Sequence, residues 1–360
     1  MNKIHLLCGI LIFACIPCLL FGQDPAYTQF SNVPLYYNPA FTGLNSGLNI
    51  RFVTRNQDPM LVPSQRSYHL SADIPGRSLP GSGGLGLIFN ADNDGVGFIA
   101  NYNIGASFSA RVPFNRLITG QAGIKAAWLI KHISWSEFVN SDRLHDNYGD
   151  LYDSAQYKTR TDLVNQPDFA VGGLVQVISN SGHMSWRIGA SVDHLFEPDV
   201  SFLPDQPYLL KRKWIGHADV ILSFSKHAKP GKHGDKLLKI NPAVLFQHQD
   251  KWNSLLAGCN VTKFGLYGGL WYKGEFGDYA SGSVAVLAGY RYVFAESMSI
   301  KFTYSYDKQI TGVNHHLGGA HEISLVFEFG GVRIFSGTAE SFKRDSNSPA
   351  GSLEKDGETF

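Results

Sequence analysis

The chain has 360 residues, a formal net charge of +1 and only 17% charged residues. Aromatic residues make up 13% of it and there are 38 glycines, a composition that favours strands and turns over amphipathic helices. The near-neutral net charge removes the electrostatic basis for a nucleic-acid partner, because phosphate binding depends on clustered cationic side chains.

The N-terminus has the features of a secretory signal peptide. Lys3 precedes an apolar run that contains Pro17, and the small Gly22 is followed by the polar Gln23. We therefore predict that residues 1–22 are a signal peptide, cleaved between Gly22 and Gln23. A membrane anchor is the alternative, which the proline and the marginal length of the run disfavour.

Three of the four cysteines lie in this predicted signal peptide. They are Cys8, Cys15 and Cys18, so the exported protein is expected to keep only Cys259 and to form no internal disulfide. Its stability then depends on strand pairing and burial. Lipidation at Cys15 or Cys18 is a further alternative, but both cysteines lie inside the apolar run. Pro17, immediately before Cys18, also disfavours lipidation at that residue.

The body of the chain alternates between apolar and polar residues with a period of two, and it contains no apolar run long enough for a spanning helix. Ile300, Phe302 and Tyr304 take one face of a predicted strand, whereas Lys301 and Thr303 take the other. This pattern is typical of a transmembrane barrel, in which closure of the sheet pairs every backbone amide. A soluble β-sandwich also alternates, but it would not tolerate so many outward aromatic residues in water.

Repetition of the pattern predicts an all-β fold, a transmembrane antiparallel β-barrel of the outer-membrane type with about fourteen strands, over residues 47–330. The predicted strands are 47–55, 65–74, 83–91, 97–112, 117–131, 168–178, 184–196, 213–225, 237–248, 252–262, 264–273, 282–294, 297–307 and 319–330. The even number agrees with the closure of single-chain bacterial barrels.

The connections between the predicted strands suggest an orientation. If the mature N-terminus is periplasmic, the longest connections, 132–167, 197–212 and 308–318, lie outside the cell, as expected for such barrels. The lysine-rich connection 226–236 is a long inner exception, which either docks an acidic partner or is simply solvated. Five tryptophans lie at or near predicted strand ends, where an interfacial girdle would place them: Trp128, Trp186, Trp214, Trp252 and Trp271.

Two motifs suggest chemistry, but their contexts disfavour it. The dinucleotide pattern GxGxxG occurs at Gly81, Gly83 and Gly86. It leads from a proline turn into a strand, whereas nucleotide binding needs a strand followed by a helix. A metal site is suggested by His315, His316 and His321, but without the spacing of a metal-binding motif. We therefore predict no catalytic, cofactor-binding or metal residue, no small-molecule substrate and no enzymatic activity.

Several charged residues fall on the lumenal side of the predicted strands. They are Lys125, Arg187, Asp193, Asp219 and Arg291. Such residues either line a channel or neutralise one another inside a filled barrel.

A series of segments carries a family resemblance. They are QDPAYTQFSNVPLYYNPAFTG from Gln23 with RFVTRNQ after it, ASVDHLFEPD at 190–199, INPAVLFQHQ at 240–249, YSYDKQITG at 304–312 and GAHEISLVFEF at 319–329. These segments follow one another in the order found in the PorP/SprF family of type IX secretion system membrane proteins, and they span residues from about 23 to 330. The chain therefore resembles that family. No single segment is a chemical site.

The resemblance implies an outer-membrane barrel, in contact with outer-membrane lipid, that works with other type IX secretion components and a secreted surface protein. It implies a binding role and carries over no catalytic residue. The positions that match family motifs are Asn38, Pro39, Arg55, Asn56, Gln57, His194, Asp307, His321 and Glu322.

The irregular segment 23–46 is expected to pack in the lumen or at the periplasmic mouth. The polar tail 331–360 departs from the family, and its composition predicts disorder, although a partner-binding appendage is an alternative.

Two functions follow as hypotheses. The first is an accessory barrel of type IX secretion that helps to secrete or anchor surface proteins such as adhesins, as some family members do in gliding motility. The second is an outer-membrane pore or transport channel, which the polar lumenal faces suggest.

Overall fold

A computed structural model describes residues 25–45, 47–60, 64–76, 82–93, 99–135, 144–145, 149–150, 161–224, 238–276, 281–295, 297–311 and 318–330. The predicted signal peptide, the tail, the lysine-rich connection, His315 and His316 lie outside these residues. No helix among the residues that are described is long and apolar enough to cross a membrane.

Fourteen antiparallel strands close into a single barrel, which confirms the predicted fold. They are β1 (Leu48–Gln57), β2 (Gln65–Pro75), β3 (Ser82–Asn93), β4 (Ile99–Pro113), β5 (Ile118–Ile133), β8 (Leu163–Ile178), β9 (Met184–Asp193), β10 (Lys213–Phe224), β11 (Leu238–Gln249), β12 (Trp252–Lys263), β13 (Leu266–Phe276), β14 (Ser281–Ala295), β15 (Met298–Thr311) and β16 (Ala320–Phe329). Two short strands, β6 (Leu144–His145) and β7 (Gly149–Asp150), pair with each other outside the barrel sheet. The barrel closes where β1 pairs with β16, so the sheet has no free edge there.

Alternation along each strand decides which side chains face the lumen. On β15, Lys301, Thr303 and Ser305 are buried inside, whereas Phe302 and Tyr304 are exposed on the outside, as the sequence predicted. The outer surface carries many exposed apolar side chains, among them Leu87, Ile104, Ile124, Leu270 and Val286. An apolar exterior around a polar lumenal face is the arrangement that a bilayer requires of a barrel.

The tryptophans only partly form the predicted girdle. Trp186 and Trp214 are exposed close to strand ends, and Trp128 is exposed farther along its strand. The prediction is wrong for Trp271, which is 2% exposed and lies in the lumen in the middle of β13. There its indole Nε1 donates a hydrogen bond to Asn260 Oδ1 at 2.8 Å, and Gly258 leaves room for the ring.

Residues 25–44, which we call the plug, lie inside the barrel. The plug contains a 3-10 turn at Phe30–Asn32, one α-helical turn at Pro34–Tyr37 and a second 3-10 turn at Pro39–Phe41. A proline begins each of the last two turns, where its fixed φ suits a helix start and its missing N–H costs nothing. The side chain of Asn38 caps the last turn by accepting from Ala40 N at 2.8 Å.

The plug runs along the lumen from one end of the barrel to the other. We call the end where β1 begins and β16 finishes the near end, and the opposite end the far end. Thr28 contacts Asp307 and Glu322, which lie toward the far end. Gly43 instead bonds Asp73 at the near end of β2, and the chain then turns back into β1.

Candidate functional site: the plug and its seat

The plug and the wall share one apolar core. The plug side chains in this core are Tyr27, Phe30, Val33, Leu35, Tyr37, Ala40 and Phe41. The wall contributes Val53, Ile88, Leu174, Ile215, Leu245, Leu256, Trp271, Ala285 and Leu287. Because each large apolar side chain contributes about 1.5–3 kcal/mol when it is fully buried, the plug is an integral part of the folded barrel.

At the far end, a cluster that we call the latch ties the plug to the wall. Arg55 Nη1 donates to Asp307 Oδ2 at 2.8 Å and to Glu322 Oε1 at 2.5 Å. The backbone N–H groups of Thr28 and Gln29 donate to the two oxygens of Glu322 at 2.7 and 3.0 Å, and Thr28 Oγ1 donates to Asp307 Oδ2 at 2.5 Å. Two buried carboxylates thus share one guanidinium, and the plug supplies further donors through two backbone N–H groups and the hydroxyl group of Thr28.

Asn38 and Pro39, which we call the plug bend, join the α-helical turn to the second 3-10 turn and fit against glycines of the wall. The side-chain amide nitrogen of Asn38 donates to the carbonyl of Gly173 at 3.1 Å and lies 3.0 Å from His217 Nε2. A Cβ atom at Gly123 would lie 2.4 Å from the Pro39 carbonyl carbon. Only glycine therefore lets the plug backbone approach the wall this closely at that position.

The near end of the plug is fixed by hydroxyl and amide groups. Thr42 Oγ1 donates to Ser107 Oγ at 2.8 Å, and the Thr42 carbonyl accepts from Ser109 Oγ at 2.6 Å and from Gln121 Nε2 at 2.7 Å. Gly43 adopts φ +63°, in the left-handed region that glycine favours, and its N–H donates to Asp73 Oδ2 at 2.9 Å. These bonds hold the plug where it joins β1.

The five lumenal charges predicted from the sequence are all buried or half-buried in the barrel interior, in ion pairs. The pairs are Arg187–Asp219 at 2.7 Å, Lys125–Asp193 at 2.8 Å and Arg291–Glu328 at 2.7 Å. The sequence left two alternatives for these residues, a channel lining and charges that neutralise one another inside a filled barrel. The pairing matches the filled barrel.

Comparison with known proteins identifies the family. A sequence model described as "Type IX secretion system membrane protein PorP/SprF" matches residues 19–327. The chain belongs to the PorP/SprF family. This PorP/SprF protein is accordingly a type IX secretion membrane component, located in the outer membrane.

Solved barrel structures are similar to this PorP/SprF protein at low sequence identity. The CymD monoaromatic hydrocarbon channel has 10% sequence identity and a TM-score of 0.41, with 87% of this chain and 96% of that chain covered. BamA from Haemophilus ducreyi lacking POTRA domains 1–3 has 8% identity and a TM-score of 0.39, with coverage of 79% and 71%. No curated protein matches the sequence.

The positions that match PorP/SprF motifs do not form one site. Arg55, Asp307 and Glu322 meet in the latch, and Gln57 Oε1 accepts from Arg55 Nη2 at 3.4 Å. Asn38 and Pro39 belong to the plug bend. Elsewhere, Asn56 and His321 lie opposite each other on β1 and β16, on the faces that point away from the lumen.

His194 lies in another lumenal group of the PorP/SprF barrel. Its Nδ1 is 3.0 Å from Asp168 Oδ2, and one oxygen of Asp193 lies nearby, a spacing that would suit a metal ion. The ammonium group of Lys125 is 2.8 Å from Asp193 and already supplies a positive charge there. The group therefore gives no reason to propose a metal.

Sequence reasoning missed the plug residues of the latch and the wall residues of the bend. Thr28 and Gln29 bind the carboxylate of Glu322 through backbone N–H groups, which carry no sequence signal. Gly123 and Gly172 fall on the lumenal face of their strands. They are the sequence signal that could have indicated the plug bend, because a glycine inside a strand often marks a close backbone approach.

Proposed function

We propose that this PorP/SprF family member is a plugged accessory barrel of type IX secretion, which helps to secrete or anchor a surface protein such as an adhesin. It acts by binding, without conducting solutes and without catalysis. The observation that carries this proposal is the plug, because residues 25–44 share an apolar core with the wall and are bonded to it at both ends.

The barrel presents its far end to the outside of the cell in this proposal. At the far end, β5 ends before the long connection to β8, and β9 ends before the long connection to β10. At the near end the chain has short turns at 114–117, 179–183 and 264–265, and the connection between β10 and β11 is the long exception there. Outer-membrane barrels place their longer connections outside and their short turns in the periplasm. The surface protein would then meet the far-end connections, and the other secretion components would meet the near end.

Deletion of the gene tests the secretion role. We expect large surface proteins to be lost from the cell surface or released into the medium, and gliding to fail if the cells glide. Quantitative proteomics of surface and medium fractions measures both outcomes, with a complemented strain as control. Unchanged surface and secreted proteins in the deletion strain would remove the basis of the proposal.

The alternative function, an outer-membrane pore, is favoured by the polar side chains that alternate along the lumenal faces. Single-channel recording in planar bilayers separates the two functions. We expect little current from the intact protein, since the plug occupies the lumen. A steady ohmic conductance would instead identify a pore.

A further inference from the structure

Two positions that match PorP/SprF motifs have no part in the plug or the latch. Asn56 and His321 lie opposite each other on β1 and β16 and point away from the lumen. On the other side of Asn56, its partner on β2 is the exposed Arg66. We call these three residues the outer patch, and the function proposed above does not use it.

The outer patch lies at the far limit of the apolar exterior. Asn56 is eight positions along β1 from Leu48, which is roughly 20 Å along the axis of a barrel whose strands are tilted. The apolar band of an outer-membrane barrel is about 25 Å tall and is bounded by aromatic residues. Tyr68 and Tyr304, each 38% exposed, lie one outward position below the patch on β2 and β15. The patch is therefore expected to face lipid headgroups.

The polar groups of the outer patch still have bonds to make. Within the described part of the chain, the guanidinium of Arg66 forms no hydrogen bond or ion pair, and Asn56 Oδ1 is buried without a partner. His321 Nδ1 is 2.8 Å from the hydroxyl oxygen of Tyr304. When that hydroxyl donates to Nδ1, the neutral ring carries its proton on Nε2, which no described residue accepts.

The charge around the outer patch is positive. Among the described residues of β1, β2, β15 and β16, no carboxylate points outward, whereas Lys308 is exposed on the outward face of β15 at the same end. Acidic side chains of these strands, such as Asp307 and Glu322, face the lumen. An anion at the outer patch would therefore be attracted, and more strongly than in bulk water because the hydrocarbon boundary is close.

We propose that the outer patch binds the phosphate group of a lipid in the outer leaflet. A guanidinium matches the geometry of a phosphate and can bind it through two N–H groups. Arg66 and His321 lie on the two strands that flank β1, so their backbones are about 10 Å apart, a distance that the long arginine side chain can span. Between them, the amide of Asn56 would donate to the phosphate or accept from a sugar hydroxyl group of the lipid.

The surface below the outer patch suits the rest of such a lipid. Leu70 and Ile323 are 43% and 40% exposed on the outward faces of β2 and β16, nearer the middle of the barrel than the patch. Acyl chains of the bound lipid would lie against them. The assignment to the outer leaflet rests on the orientation of the proposed function, with the far end outside the cell.

Native mass spectrometry of the purified full-length protein in detergent tests the proposal, with phosphorylated lipid A added as the probe after removal of copurified lipid. We expect one lipid A molecule to bind per chain. Lipid A from which the phosphate groups have been removed should bind about tenfold more weakly or less, because the charged hydrogen bonds are lost. Inorganic phosphate at the same concentration should not bind, since it has no acyl chains.

The site variant combines Arg66→Gln with His321→Phe, which removes the charge and the imidazole N–H but keeps side chains of similar size. It leaves the plug and the latch intact, and its unfolding in detergent without lipid should match that of the wild type. Its affinity for lipid A should fall about tenfold or more. The matched control is Arg212→Gln, which removes an exposed arginine at the same end, in the connection 194–212, where it bonds the Leu195 carbonyl.

No bound lipid A in the wild type, or equal binding by the site variant, overturns the proposal. Equal binding of dephosphorylated lipid A overturns the role of the phosphate group, and equally tight binding of inorganic phosphate overturns the assignment to a lipid. Because binding in detergent depends neither on secretion nor on orientation, these measurements can fail while the proposed secretion role stands.

Discussion

Arg55 is the residue on which the far-end attachment of the plug depends. Its guanidinium is the only cation that the described structure places within ion-pair distance of both Asp307 and Glu322. We predict that Arg55→Ala lowers the free energy of unfolding by about 3–5 kcal/mol, the usual cost of leaving buried carboxylates without their partner. Urea unfolding in detergent, followed by tryptophan fluorescence, measures the change.

Arg66→Ala is the matched control for this prediction. Arg66 also lies toward the far end, on β2, but it is exposed and points away from the lumen. Its removal should change stability by less than about 0.5 kcal/mol, as is usual for surface substitutions. Equal effects of the two variants would mean that the latch contributes nothing to the attachment of the plug.

Gly123 provides a separate test of how closely the plug bend fits the wall. We predict that Gly123→Ala lowers the free energy of unfolding by about 1–3 kcal/mol, because the added methyl group would overlap the backbone at Pro39. The control is Gly173→Ala, on the neighbouring strand and facing outward, where a Cβ atom meets nothing within 4 Å. The same unfolding assay measures both variants, and no difference between them would show that the bend tolerates a shift.

The sequence predicted which residues face the lumen, but not how they pair. Alternation alone placed Lys125, Arg187 and Asp219 inside. The latch joins Arg55 to partners 252 and 267 residues away, and no local pattern encodes such a contact. Trp271 shows a similar limit: its place near a predicted strand end suggests the membrane interface, but it lies on the lumenal face of β13.

At the scale of elements, the strands were predictable and the plug was not. Each strand repeats a period of two over ten or more residues, which is a strong signal. The plug consists of three single turns, two of which begin at prolines. Its sequence therefore predicts an irregular segment but does not predict where that segment runs in the barrel. Its route through the lumen is decided by contacts with nearly all parts of the wall.

The plug is expected to remain in place while the protein acts. We predict that a disulfide between Thr42→Cys and Ser107→Cys forms after export, since the two hydroxyl oxygens are 2.8 Å apart, and that it leaves surface-protein retention unchanged. Non-reducing mass spectrometry of peptides detects the bond, and surface proteomics measures retention. Cys259 is replaced by Ala in these experiments to exclude mispairing.

The two single-cysteine variants serve as controls for the crosslink. If the crosslinked protein lost retention and a reducing agent restored it, the plug would have to leave the lumen during function. The binding role proposed here would then need an opening step.

The whole molecule separates two environments by the alternation of its strands. Inside, the plug and the wall form an apolar core ringed by ion pairs, much like the interior of a soluble domain. Outside, the exposed side chains are apolar and suit lipid. One chain can satisfy both because neighbouring residues of a strand point to opposite sides.

The depth dependence of a single charge tests whether lipid covers this exterior. Leu270 and Leu266 lie on the same outward face of β13 and are 61% and 63% exposed, but Leu270 is near the middle of the strand and Leu266 begins it at the near end. In a bilayer, Leu270→Arg should cost about 2–4 kcal/mol and Leu266→Arg only about 0–1 kcal/mol. Reversible unfolding from lipid vesicles measures both. Because the two positions are almost equally exposed, a water-covered surface would make the two costs equal, and that result would contradict the membrane-spanning barrel.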